Sequence, residues 1–286
     1  MDALVNAGLS SSFYIALLLL LALGLAVMYG LMRVINFAHG EFVALGAFVV
    51  LVLQRADLPL WLGVLVAPVV VALIGLVLER VLIRHLYGRL VETILVTFGV
   101  SVILQQLLVN VFGTSPSGMK AVRGSFSVGA YRFSVYQQVI VVLAILTVIA
   151  TYLVFTRTLY GLRSRAAVQA PEAAAACGID VSRSNMKTFV LGSALAGLAG
   201  ALIAPISGVQ PYMGQGFLAR VFTTVIVGGP AALSGTTVAS GLLGGTQYAG
   251  EAVVSPFVAQ AIVMLVVIAV VRWRPRGLSA GWRVSA

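Results

Sequence analysis

The hydrophobic positions of this chain fall in long, nearly unbroken runs, not in the alternating or three-to-four-residue spacing of half-buried elements. The clearest runs occupy residues 12–32 (SFYIALLLLLALGLAVMYGLM), 60–78 (LWLGVLVAPVVVALIGLVL), 134–155 (SVYQQVIVVLAILTVIATYLVF) and 257–271 (FVAQAIVMLVVIAVV). At about 1.5 Å per residue, an apolar helix of roughly 18 residues or more crosses a hydrocarbon core of about 30 Å. Five further stretches, at 41–53, 93–112, 186–206, 217–227 and 236–248, are apolar as well, several of them short or rich in glycine. The pattern predicts an all-α, polytopic helical membrane protein with eight or nine membrane segments, including short or broken helices, organised as a single membrane domain over residues 1–286.

Composition removes the soluble alternative. Hydrophobic residues make up 60% of the chain, charged residues 9%, and the mean hydropathy is +1.08. Eight acids and eighteen bases over 286 residues cannot coat a soluble surface of that size. The first run is expected to be retained rather than cleaved as a signal peptide. It is too long for an h-region, and Asp2 is the only charge before Arg33.

The net charge of +10 does not point to nucleic acid, because the cations sit in short loops beside apolar runs. Arg80, Arg84 and Arg89 form one group. Arg157, Arg163, Arg165, Arg183 and Lys187 form a second, and Arg272, Arg274, Arg276 and Arg283 a third. The positive-inside bias places all three in the cytoplasm. With nine crossings the N-terminus lies outside and the C-terminus inside. That count puts the 113–132 loop outside although it carries Lys120, Arg123 and Arg132; a re-entrant segment before it would reduce the count to eight.

Two stretches carry small residues at four-residue spacing, which lets helices approach closely. Gly192, Ala196 and Gly200 form one ridge, with Ser193, Gly197 and Ala201 beside it; Gly241, Gly245 and Ala249 form the other. Both are expected to serve helix packing. In the 157–187 loop, Pro171 suits a first helical turn, Glu172 its positive end, and Gly178 a left-handed stop after the alanines. A cytoplasmic helix of about two turns follows.

The stretch RVINFAHGEF places Arg33, Asn36, His39 and Glu41 between two apolar runs. An ionisable group at mid-bilayer costs about 2.5–3.5 kcal/mol on insertion scales, so His39 and Glu41 must face protein, water or headgroups. Two readings stand: a break between helical halves that lines or braces a solute path, or an interfacial turn in which Asn36 ends one helix and Glu41 begins the next. Further polar groups in or beside apolar runs are Thr97, Gln105, Gln106, Gln210, Tyr212, Thr223, Thr224, Gln247 and Glu251. They suit either solute contact or interhelical bonds.

MYGLMRVINFAHGEFVALGAF resembles the signature of the Liv-type branched-chain amino-acid permease family of ABC importers. It is followed in that family's order by GLRSRAAVQAPEAAAACGID, TFVLGSALAGLAGAL, VGGPAALSGTTVASGLLGG and RPRGL, so the resemblance extends from about residue 17 to 278. Glu172, Ala173, Ala174 and Gly178 match the E-A-A-x-x-x-G core of the loop that docks such permeases onto their ATPases. The resemblance implies a permease subunit paired with a second, homologous permease, two cytoplasmic ATPases and an extracytoplasmic solute-binding protein, in a bacterial-type cytoplasmic membrane. It favours a path or gate role for Asn36, His39 and Glu41, and Thr97 and Gln210 join them as path or gate candidates on their polarity beside apolar runs. Two positions depart from the family pattern: Arg33, where a small residue is usual, and Pro230–Ala231, where a further glycine is expected.

Independent of resemblance, the only lysines are Lys120 (SGMKA) and Lys187 (NMKTF), and neither ends a glycine-rich phosphate-binding loop. Nucleotide hydrolysis is thus expected on another chain, and no cofactor is expected on this one. His39, His85 and Cys177, the only histidines and cysteine, are too scattered in sequence to suggest metal or nucleophilic chemistry. A single cysteine also excludes a disulfide within the chain. The rival functions are a gradient-driven transporter or channel, in which His39 and Glu41 would carry protons, and a non-transporting scaffold.

Overall fold

Helix α8 (Val181–Ser207) is the centre of the computed structural model, and it packs against α1 (Asp2–Met32), α2 (His39–Arg55) and α3 (Leu60–Val81). The structure describes residues 2–119, 122, 124–128, 131–229, 232–275 and 277–279. Its remaining helices are α4 (Leu90–Phe112), α5 (Val135–Arg157), α6 (Leu159–Gln169), α7 (Pro171–Ala176), α9 (Met213–Gly228), α10 (Ala232–Glu251) and α11 (Pro256–Trp273). A 3-10 turn, Ile83–Leu86, links α3 to α4.

All nine apolar stretches fall on helices. Six of these (α1, α3, α4, α5, α8 and α11) are each long and apolar enough to cross a membrane alone. Short pieces supply the rest: α2 has 17 residues, and α9 and α10 meet at a bend of 118°. The chain is therefore a multi-pass, all-α membrane protein with broken elements. Among the described residues the one sheet is a hairpin, β1 (Ser125–Val128) against β2 (Tyr131–Ser134), in antiparallel register with Phe126 stacked on Phe133 at 5.5 Å.

The lipid and protein faces of α3 can be read from its spacing. Gly63, Ala67, Val71 and Gly75 recur every four residues and are buried, whereas Leu65, Val69, Leu73 and Val77 recur on another face and are exposed. Bulky apolar side chains thus stay exposed on the outer face while the buried face meets α2 and α8.

The first small-residue ridge packs as expected. A Cβ on Gly200 would collide with the Val43 carbonyl of α2, one on Gly46 of α2 with the Gly197 carbonyl, and one on Gly192 with Met28 of α1 at 2.7 Å. The second ridge does not. Gly241 and Gly245 have nothing within 4 Å of their would-be Cβ atoms; the close approach on α10 belongs to Gly244, whose Cβ would lie 2.8 Å from the Ile15 backbone of α1. Four-residue spacing identifies a narrow face but not which of two adjacent faces meets a neighbour, and here α1 takes the adjacent one.

Contacts sort the helix ends onto two faces. Helix α3 packs antiparallel on α8, with Gly75 against Ser193 and the earlier Val71 and Ala67 against Gly197, so the end of α3 points toward the start of α8, and Leu233 of α10 packs in one cluster with Val27, Phe155, Tyr160 and Leu191. Leu278 and Ser279 donate backbone bonds to Val227 and Gly228 at the end of α9. The described members of the three basic groups therefore share one face. The opposite face carries the hairpin, the paired backbones of Ser117 and Val209, and the Arg55 guanidinium donating to Ser117 Oγ at 3.1 Å. The Tyr14 end of α1 meets the Glu251 end of α10 at 2.5 Å. Arg132 lies on the hairpin face; Lys120, Arg123, Pro230, Ala231, Arg276 and Arg283 lie outside the described residues.

Candidate functional site

The polar stretch between α1 and α2 folds as a buried break. Helix α1 stops at Met32; Arg33 takes the left-handed conformation at φ 53°, with its N–H donating to the Tyr29 carbonyl at 3.0 Å. The chain then runs back inside the bundle, and α2 restarts beside the middle of α1. Asn36 starts it: its Oδ1 accepts the Ala38 N–H at 3.0 Å, its carbonyl accepts the His39 N–H at 3.2 Å, and its Nδ2 donates to Met28 Sδ at 3.7 Å.

His39, in the first turn of α2, donates from Nε2 to the Leu21 carbonyl of α1 at 3.0 Å. Glu41 accepts the Ser101 hydroxyl of α4 on Oε1 at 3.2 Å. Thr97 of α4 accepts the Phe37 N–H at 3.1 Å and donates to the Thr93 carbonyl at 2.8 Å, tying the break to α4. On the far side, Gly40 lies against the backbone of Gly214 at the start of α9, and the Phe37 ring packs on Phe222 at 4.9 Å. Asn36, His39, Glu41 and Thr97 are all at most 1% exposed. The turn is thus enclosed by protein; Glu41 does hold the first-turn position that an interfacial turn would also use, but α1 ends at Met32 and the N-cap of α2 is Ala38, so Asn36 caps neither helix.

Buried polar groups are normally paired, yet His39 Nδ1 and Glu41 Oε2 have no partner among the described residues. Gln210 lies apart from this group, exposed in the turn between α8 and α9. Ser101 and Met28 complete the cluster, and sequence reasoning did not single them out. Ser101 sits one turn after Thr97 on α4, which is the spacing that would have found it.

The 157–187 loop forms a second, separate feature on the basic face. Pro171 opens α7, Glu172 occupies its first turn, and Gly178 follows at φ 79°. The Gly178 and Ile179 N–H groups close the end on the Ala175 and Ala174 carbonyls at 2.9 and 3.0 Å. Glu172, Ala173 and Gly178 are exposed, whereas Ala174 is buried beneath. The preceding helix α6 was not foreseen. Thr158 caps it by accepting the Gly161 N–H at 3.1 Å, so a Thr in an N-cap position was the available signal.

Helix α6 is fastened to α8 by Tyr160, which donates to Thr188 Oγ1 at 2.8 Å, and by the Ser164 and Ser184 hydroxyls at 3.0 Å. Burial pushes the Tyr160 hydroxyl above its ordinary pKa. Asp180 caps α8 through the Arg183 N–H at 2.9 Å. The short helix therefore stands on a braced platform.

Membrane-length apolar helices around a buried, hydrogen-bonded break define a polytopic membrane protein. The chain belongs to the family described as branched-chain amino acid transport system / permease component, which matches residues 9–271. It is 28% identical over 284 aligned residues to the probable branched-chain amino acid transport permease protein LivH of Methanocaldococcus jannaschii, covering 93% of this chain and 89% of that protein. It is 27% identical over 277 residues to the high-affinity LivH permease of Escherichia coli K12, covering 91% and 90%. Against BraD of Pseudomonas aeruginosa the figures are 30% over 288 residues, 91% and 90%. No solved structure matches the chain.

Proposed function

We propose that this chain is the membrane subunit of an ATP-driven importer that moves branched-chain amino acids, or a similar small polar solute, across a bacterial-type cytoplasmic membrane. The observation that carries this reading is the exposed, braced helix α7, with Glu172, Ala173 and Gly178 presented on the basic face and Ala174 beneath them. A solvated connector could end on the same glycine stop but would not need the α6 platform. The 157–187 segment is then the coupling loop within a single permease domain. The basic face and C-terminus lie in the cytoplasm, where two ATPase subunits dock. A second, homologous permease completes the path, and an extracytoplasmic solute-binding protein delivers solute to the hairpin face. Asn36, His39, Glu41 and Thr97 brace the gate, and Gln210 sits nearer the outer mouth.

Because the chain has no phosphate-binding loop, it hydrolyses no ATP alone and uptake requires a separate ATPase. Reconstitution tests both points: the full assembly accumulates leucine only with ATP inside the compartment holding the ATPases. Accumulation by this chain alone, driven by a proton gradient without nucleotide, would replace this reading with a gradient-driven transporter.

A further inference from the structure

Helix α6 has little apolar surface, and its two leucines face outward. The inner face, where Gly161, Ser164 and Ala167 are buried, lies on the bundle. Leu159, Leu162 and Arg163 are related by steps of three and four residues and so share the other face. The leucines are 71% and 57% exposed, and Arg163 is exposed beside them. Two bulky apolar side chains turned away from the protein require a cover that the chain itself does not supply.

Their depth says what the cover is. Helix α5 has 23 residues, so at about 1.5 Å per residue it is about 34 Å long against a hydrocarbon core of about 30 Å. Its last turns still carry exposed Ile149, Tyr152 and Leu153, with tyrosine at a level where aromatic rings collect at a membrane surface. The helix ends at Arg157 and α6 begins at Leu159, only two residues on. Gly161 lies against the Phe155 backbone, so α6 turns back close under the end of α5 instead of running on into water. Leu159 and Leu162 are thereby held at the headgroup boundary, beside the outward surface of α5, where the nearest apolar partner is lipid.

The charge beside them selects among lipids. Arg157 and Arg163 flank Leu159 and Leu162 in sequence, both are exposed, and neither makes an ion pair with a described residue. The acid at the start of α8, Asp180, is taken by Arg183 at 3.1 Å. Two free guanidiniums bordering an apolar strip complement a phosphate bearing acyl chains and a net negative headgroup.

We propose that the outer face of α6 binds an anionic phospholipid of the leaflet on the basic face, with Arg157 and Arg163 on its headgroup and Leu159 and Leu162 against its acyl chains. Helix α6 is then fastened on two sides, to α8 through Tyr160 and Ser164 and to the membrane through the lipid. The lipid steadies the platform on which α7 stands, so coupling to the ATPases depends on anionic lipid. Only that consequence rests on the importer reading; the lipid site itself requires no transport.

The test uses the complete assembly in phosphatidylcholine vesicles, with a phosphatidylglycerol analogue carrying a diazirine as photoprobe and mass spectrometry to locate the label. Label is expected on the 152–163 segment. Added phosphatidylglycerol should compete it away about tenfold, whereas the same amount of extra phosphatidylcholine or of inorganic phosphate should not. The double variant Arg157→Gln, Arg163→Gln should lose the label about tenfold, and the corresponding pair of lysine substitutions should keep part of it. The competition on wild-type protein decides the matter even if a variant fails to assemble. Equal competition by the two phospholipids reduces the face to unselective lipid contact and overturns the site. Competition by inorganic phosphate equal to that by phosphatidylglycerol identifies a free-anion site and overturns it too. Label that appears on this segment only after the ATPases are stripped off assigns the face to them and likewise overturns the proposal. In the same vesicles, leucine uptake per ATP hydrolysed should rise with phosphatidylglycerol in wild type and stay flat in the double glutamine variant. An equal rise in both overturns the part of the lipid in coupling. Absence of ATP-driven leucine uptake with the labelling intact is a separate failure, of the importer reading itself.

Discussion

Glu41 has one carboxylate oxygen on Ser101 and another with no partner among the described residues, in a position 1% exposed. Removing the side chain strands the Ser101 hydroxyl in a buried site, which costs about 1–3 kcal/mol. Glu41→Ala is therefore expected to lower the thermal stability of the purified assembly and to impair uptake while the ATPases still dock. Glu41→Gln keeps an acceptor for Ser101 and should retain most of the stability. Equal uptake by Glu41→Ala, His39→Ala and wild type would reduce the break to a turn without a part in gating. These residues were legible because a charge inside an apolar run requires a reason. Their partners were not: Ser101 and Leu21 stand 60 and 18 positions away, and nothing in local spacing announces which helix comes to meet them. Arg33 shows the same limit from the other side. Its departure from a small residue is plain in the sequence, but the left-handed backbone that favours a small residue there appears only in the fold.

At the scale of the element, helix positions follow from apolar length, and all nine stretches were located from it. Breaks and faces were harder. Helix α6 has little apolar surface and is held by Tyr160 and Ser164 against α8, so hydrophobic runs do not reveal it. The two glycine ridges look alike in sequence, yet only that of α8 is packed within this chain. The contrast makes a prediction. Gly200→Val forces a side chain into the Val43 carbonyl and should destabilise by about 1–3 kcal/mol or more, because backbone cannot move aside as a flexible side chain does. Gly241→Ala and Gly245→Ala meet open space within the chain, and alanine favours the helix by up to about 1 kcal/mol over glycine. Thermal unfolding of the three variants in detergent measures the difference. A loss of stability in the α10 variants as large as that of Gly200→Val would mean that their ridge is packed against another subunit.

For the molecule as a whole, the described members of the three basic groups and the hairpin occupy opposite faces, so one labelling experiment fixes the orientation of every helix. Cys177 is exposed, one residue before Gly178 at the end of α7, and is the only cysteine in the chain. On the proposed cytoplasmic placement of the basic face, a membrane-impermeant maleimide should modify this chain in inside-out vesicles and leave it untouched in right-side-out vesicles, without any engineered background. Adding the ATPases should slow the reaction, since the proposed docking on Glu172 and Ala173 would cover the neighbouring thiol. Gly178→Val should weaken coupling as well, because a β-branched residue resists the φ of 79° that ends α7. The measured quantities are the rate of modification with and without ATPase and the uptake per ATP hydrolysed. Modification only in right-side-out vesicles would invert the proposed topology. Modification from the inside at a rate the ATPases do not change would preserve the topology and move the docking surface away from α7, toward the remaining exposed cations of the basic face.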